Sequence, residues 1–163
     1  MTNISANDCV KTRWSGLTMF SSVFLRLGLG LGFLSAVADR FGYCGASGQP
    51  NVAWGSYAHF VDYTAKLIWF MPTATIPTFA FVATAAETLF GLLLVLGWQT
   101  RVTALLSGVL LATFALTMTL ALGIKAPLNY SVFSAAGGAL LLAGAGTFPC
   151  SLDAVLTRMR QAK

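Results

Sequence analysis

Charge is scarce in this chain. Lys, Arg, Asp and Glu together make up 9% of its 163 residues, while apolar residues make up 56%. So few charges cannot coat a water-soluble domain of this size, and the composition points to the membrane class. The net charge of +5 is not gathered into a basic stripe with interleaved aromatics, so a nucleic-acid surface is excluded. Histidine occurs once, at His59, which leaves no intramembrane histidine pair for a haem. No glycine-rich dinucleotide motif follows a strand, and no Ser–His–Asp set is readable. No haem, flavin or metal site and no catalytic residue is therefore visible in the sequence. Cysteine occurs three times, at Cys9, Cys44 and Cys150, without a C-x-x-C or a Cys–His spacing of the metal-site kind. These are expected to be free thiols.

What the chain does have is long apolar runs. They predict an all-α, polytopic membrane protein, a single domain with four transmembrane helices over 17–38, 76–96, 102–124 and 130–145. The fourth is the weakest, being short and rich in Gly137, Gly138, Gly144 and Gly146. Gly97-Trp98-Gln99-Thr100-Arg101 joins the second and third spans as an antiparallel hairpin, and Pro127 breaks the chain between the third and fourth. Ala36-Val37-Ala38 resembles a signal-peptidase site, but Arg26 interrupts the apolar stretch before it, so cleavage is not expected.

Lys and Arg placement predicts a multi-pass protein with both termini on the cytoplasmic side. That side would carry Lys11, Arg13, Arg101, Arg158, Arg160 and Lys163, against Arg40, Lys66 and Lys125 outside. Trp14 and Trp98 would mark the inner boundary, with Trp54 and Trp69 outside.

The only sizeable extramembrane part is the outer loop, 39–75. Its first half is rich in turn formers. Its second half is periodic, with Tyr57, Phe60, Val61, Thr64, Leu67, Ile68 and Met71 on one face and His59, Asp62 and Lys66 on the other. This predicts a short amphipathic helix on the outer leaflet or over the bundle.

Two charges, Arg26 and Glu87, interrupt the apolar runs. An unpaired charge at the bilayer centre costs at least about 2.5 kcal/mol, so each needs a partner or a watery cavity. Counting from the inner ends of the first two spans puts both at similar depth, so each is the expected partner of the other. Gly30 and Ser22 beside Arg26, and Ala83 and Gly91 beside Glu87, would let the two helices approach closely. Thr113 and Thr117 on the third span are expected as hydrogen-bond partners at that depth. Two readings stay open: an ion pair that fixes helix register, or one that also faces a cavity and holds an anionic or carbonyl-bearing ligand such as a quinone head group. A second candidate cluster, Asp39, Arg40, His59 and Lys125, is expected at the outer mouth. His59 is expected there as an interfacial side chain, since no second His or Cys is placed to share a metal.

On these residues the chain resembles the DoxX family of small bacterial membrane proteins. The resemblance is carried by Leu25-Arg26-Leu27-Gly28-Leu29-Gly30 with Phe33-Leu34, by Ala83-Thr84-Ala85-Ala86-Glu87-Thr88-Leu89-Phe90-Gly91 with Leu96-Gly97 and Arg101, and by Gly123-Ile124-Lys125-Ala126-Pro127-Leu128. It implies a four-helix membrane bundle and a link to the small subunit of thiosulfate:quinone oxidoreductase. The expected role is then a quinone-associated subunit of a membrane oxidoreductase system. The alternatives are a non-enzymatic assembly or scaffold subunit, and a small-solute carrier, which the lack of a visible inverted repeat disfavours. The partners expected are the lipid bilayer, a partner subunit or a second copy of the chain.

Overall fold

The computed structural model describes residues 6–145 and 148–161, with side chains for 16–145 and 148–160. The side chains of Cys9, Lys11, Arg13 and Trp14, together with Gly146 and Lys163, lie outside the described set. All regular structure among the described residues is helical: α1 (Ala6–Arg40), α2 (Tyr57–Leu67), α3 (Ile76–Leu96), α4 (Thr100–Leu122), α5 (Lys125–Asn129), α6 (Val132–Gly144) and α7 (Leu152–Gln161), with a single 3₁₀ turn at Thr73–Thr75. Three helical segments, Gly16–Arg40, Thr73–Leu96 and Thr100–Leu122, are long and apolar enough to cross a membrane. α6 is apolar but has only 13 residues, fewer than the roughly 20 that a straight crossing takes.

Large apolar side chains stay exposed along the long helices, among them Leu31, Phe81, Leu89, Leu116 and Leu120. In water such a surface would aggregate, whereas in a bilayer it is the solvated face. Threonines inside the spans satisfy their hydroxyls on their own helix, as Thr88 does on the Thr84 carbonyl and Thr119 on that of Ala115.

Small residues set the packing. Gly30 on α1 meets Gly91 on α3 so closely that a Cβ on Gly30 would stand 2.9 Å from Val95 Cγ2 and 3.0 Å from the Gly91 carbonyl. This is the close backbone approach that glycines allow between membrane helices. α4 packs chiefly on α6, where Gly108 receives Leu140. The interior is completed by Leu29, Phe33, Leu94, Ala104, Ala139 and Leu142.

Helix ends follow their sequence signals. Ser56 caps α2, its Oγ accepting from the His59 N–H at 3.4 Å. Gly97 stops α3 in the left-handed conformation, φ 70°, at the hairpin turn. The next turn is closed from a distant element: Asp153 accepts the Gln99 and Thr100 N–H groups, each at 2.8 Å, so two of the free donors at the start of α4 are met. α1 extends N-terminally beyond the expected start at residue 17, and α5 and α7 are helices that the apolar runs did not announce.

The α1–α3 register decides where the charges fall. With Gly30 against Gly91, Arg26 lies at the Gly97 end of α3, and the Arg40 end of α1 lies at Glu87. Glu87 sits about 15 Å from either end of α3 at ~1.5 Å per residue. α1 therefore stops short of the Ile76 end of α3, and the Arg40 side chain reaches back to Glu87. Beyond that point α2 packs against α3 and α4.

Candidate functional site

The buried ion pair joins Arg40 to Glu87, which corrects the expected pairing of Arg26 with Glu87. Arg40 Nη2 donates to Glu87 Oε1 at 2.9 Å and stands 2.7 Å from Oε2, the second being an ion contact without hydrogen-bond geometry. Both side chains are 3% exposed. Arg40 Nη1 donates to Thr84 Oγ1 at 3.0 Å, and that hydroxyl donates onward to the Ala80 carbonyl at 2.9 Å. The flat guanidinium also lies against Phe60, 3.7 Å from the ring centre, with Trp54 at 5.0 Å. Desolvated contacts of this kind between a cation and an aromatic face are worth about 2 kcal/mol. Arg40 Nε is buried without a partner.

Arg26 has a different task. Its Nη2 donates to the Cys150 carbonyl at 2.6 Å and its Nη1 to the Pro149 carbonyl at 3.4 Å, in the turn that precedes α7. It is buried among backbone acceptors at the Gly97 end of the bundle and clamps α1 to that turn. Counting from the edges of apolar runs misplaced it because α1 is offset along α3.

Above the ion pair, Asp39 Oδ2 accepts the N–H groups of Ala53 and Trp54 at 2.9 and 3.0 Å, which holds the 41–56 segment down over the bundle. His59 Nδ1 lies 2.9 Å from Ser56 Oγ and 3.1 Å from the Trp54 carbonyl, so it braces the start of α2. Lys125 is exposed at the beginning of α5, apart from the others.

A cavity of about 880 Å³ opens between α1, α2, α3, α4 and α6. Ligand pockets usually fall between about 300 and 1,000 Å³. Gly28, Gly32 and Ala36 form its α1 wall, and Phe79, Val82, Ala83 and Ala86 its α3 wall. Arg40 and Glu87 stand on its boundary with Trp54, Phe60 and Tyr63, and His59, Asp62 and Lys66 line its α2 side. Burial, with a smaller contribution from Tyr130, pushes the Tyr63 phenol above its ordinary value. Tyr63 therefore keeps its proton and remains a donor beside the cavity.

Thr113 and Thr117 line the same cavity. Their hydroxyls donate to the carbonyls of Val109 and of Thr113 and Phe114, while the hydroxyl that serves Arg40 is that of Thr84. This replaces the expectation that the third span supplies the partners of the ion pair. The cavity thus gathers Glu87, Thr113, Thr117, Arg40 and His59 from the expected residues, and leaves out Arg26, Asp39 and Lys125. Sequence reading missed Trp54, Phe60, Tyr63 and Thr84. Only Thr84 carried a signal, standing one helical turn from Glu87.

Among the described residues no three His, Cys, Asp or Glu side chains converge as a metal ion would require. Chemically, the arrangement offers a largely apolar cavity, an Arg–Glu ion pair on its wall and an aromatic and hydroxyl-bearing cover. Comparison with protein-family models, with curated proteins and with solved structures yields no match.

Proposed function

We propose that this chain is a DoxX-type subunit of a bacterial inner-membrane oxidoreductase system, and that its cavity holds a quinone. The reading takes α1, α3, α4 and the α5–α6 unit as four crossings, with both termini cytoplasmic. The observation that carries it is the 880 Å³ cavity with Arg40 and Glu87 on its boundary. Its size suits a ring with part of an isoprenoid tail, and its walls are mostly apolar. The residues present fit such a molecule. Tyr63 and Lys66 supply donors for a ring carbonyl, and the orphaned Arg40 Nε is a further buried donor at the same end. Trp54, Phe60 and Phe114 supply faces for the ring. A bound quinone would accept electrons and protons from a partner subunit, and the chain's own residues would orient it and exclude water.

The test is extraction of lipid-soluble molecules from the purified protein, read by mass spectrometry. Ubiquinone or menaquinone retained by the wild type and lost in Gly28→Leu or Tyr63→Phe supports the reading. Quinone-free protein that also fails to bind added quinone overturns it and leaves a non-enzymatic assembly subunit as the better account.

A further inference from the structure

The C-terminal helix α7 has no role in the cavity, yet its residues are arranged with a clear division. Leu152, Val155, Leu156 and Met159 are all exposed, between 42% and 62%. Their spacing puts them on one face. At about 100° per residue, Arg160 falls about 80° to one side of Leu152 and Arg158 about 120° to the other. Thr157 lies about 140° round, on the opposite face. An apolar stripe bordered on both flanks by arginines suits a helix half-sunk between acyl chains and head groups. There the long stems lie along the apolar layer and the guanidinium groups turn up to phosphate.

The placement of α7 agrees with that chemistry. Its first turn is fastened to the α3–α4 hairpin, where two membrane helices emerge. Asp153 binds the Gln99 and Thr100 N–H groups, and its own N–H donates to the Gly97 carbonyl at 3.1 Å. The helix thus starts where the spans leave the bilayer, and its free apolar face has a lipid surface for a neighbour. Arg101, exposed on the same turn, adds a third cation.

We propose that α7 is an interfacial anchor that lies on the membrane and is held there by anionic phospholipid. The proposal is independent of what occupies the cavity.

The test uses the full chain with Cys9, Cys44 and Cys150 changed to Ser, carrying one nitroxide at a time through Val155→Cys, Met159→Cys or Thr157→Cys. The protein is reconstituted in phosphatidylcholine vesicles with and without phosphatidylglycerol. Collision with oxygen, which concentrates in lipid, is compared with collision with a water-soluble nickel chelate. In the anionic vesicles, labels at 155 and 159 should favour oxygen severalfold over the label at 157. Arg158→Glu with Arg160→Glu, or omission of phosphatidylglycerol, should move both labels into water. A label introduced by Phe81→Cys on the exposed face of α3 should keep its lipid signature throughout, which separates release of α7 from unfolding. Free access of the chelate to all three α7 positions overturns the proposal. So does shielding of 155 and 159 from both reagents, which would mean a face covered by protein, and so does indifference to charge reversal and lipid charge.

Discussion

Arg40 Nη2 donates to Glu87 Oε1 at 2.9 Å across 47 residues of chain, and the two side chains are buried together in the middle of the bundle. Removing one member of such a pair strands the other charge in a medium that cannot solvate it. Arg40→Gln or Glu87→Gln should therefore each destabilise the folded protein by about 3–5 kcal/mol, and the double variant by less than the sum. Arg26→Gln combined with Glu87→Gln should instead be additive within about 0.5 kcal/mol. Thermal or denaturant unfolding in one detergent checks both cycles, and strong coupling between Arg26 and Glu87 would reinstate the pairing that the offset of α1 removes.

Two glycines only two residues apart on α1, Gly28 and Gly30, should respond in opposite ways. Gly30 has no room for a side chain against Gly91 and Val95, whereas a Cβ on Gly28 meets nothing within 4 Å and points to the cavity side. Gly30→Leu should misfold the protein or lower its melting temperature sharply, since overpacking typically costs about 1–3 kcal/mol or more. Gly28→Leu should leave unfolding nearly unchanged while lowering the amount of lipid-soluble ligand retained.

Phe60 and Trp54 hold α2 against the guanidinium. Phe60→Ala removes a cation–aromatic contact of about 2 kcal/mol together with buried ring area. Amide hydrogen exchange in α2 should then accelerate well before exchange in α3 or α4, because only the covering helix loses its hold. Uniform acceleration across all helices would show that Phe60 supports the whole bundle instead.

Asp153 is the cap that α4 lacks in its own sequence. Asp153→Ala leaves the Gln99 and Thr100 N–H groups without their carboxylate, and removal of a helix cap costs about 0.5–2 kcal/mol. Exchange of the first-turn amides of α4 should rise in this variant. Asp153→Asn should recover part of the protection, since an amide oxygen still accepts one bond.

The helices were largely legible because an apolar run announces a span whatever its neighbours are. The bounds of α3 agree with the expected 76–96, and α2 lies where the Tyr57, Phe60, Thr64 and Leu67 periodicity placed it. Small residues at Gly30 and Gly91 also announced the α1–α3 contact. What the sequence did not carry was the axial offset between those helices. Arg26 and Glu87 are each about nine residues from an inner span edge, but α1 reaches further than its apolar run, so equal counts do not mean equal depth. Arg40 looked like a charge at a span end. It became the buried partner because α1 stops short of the Ile76 end of α3 and α2 covers the gap, a fact that lives in packing. α7 escaped notice for another reason: its ten residues are amphipathic, and its apolar face shows only once the segment is known to be helical.

Asp39 and Arg40 are neighbours in the chain with separate loyalties. The first grips the 41–56 segment through the Ala53 and Trp54 amides, and the second grips Glu87 and Thr84 on α3. One peptide bond thus links the covering segment to the arginine that holds the buried carboxylate. Displacing that cover should therefore disturb the Arg40–Glu87 contact, since the two anchors are adjacent residues.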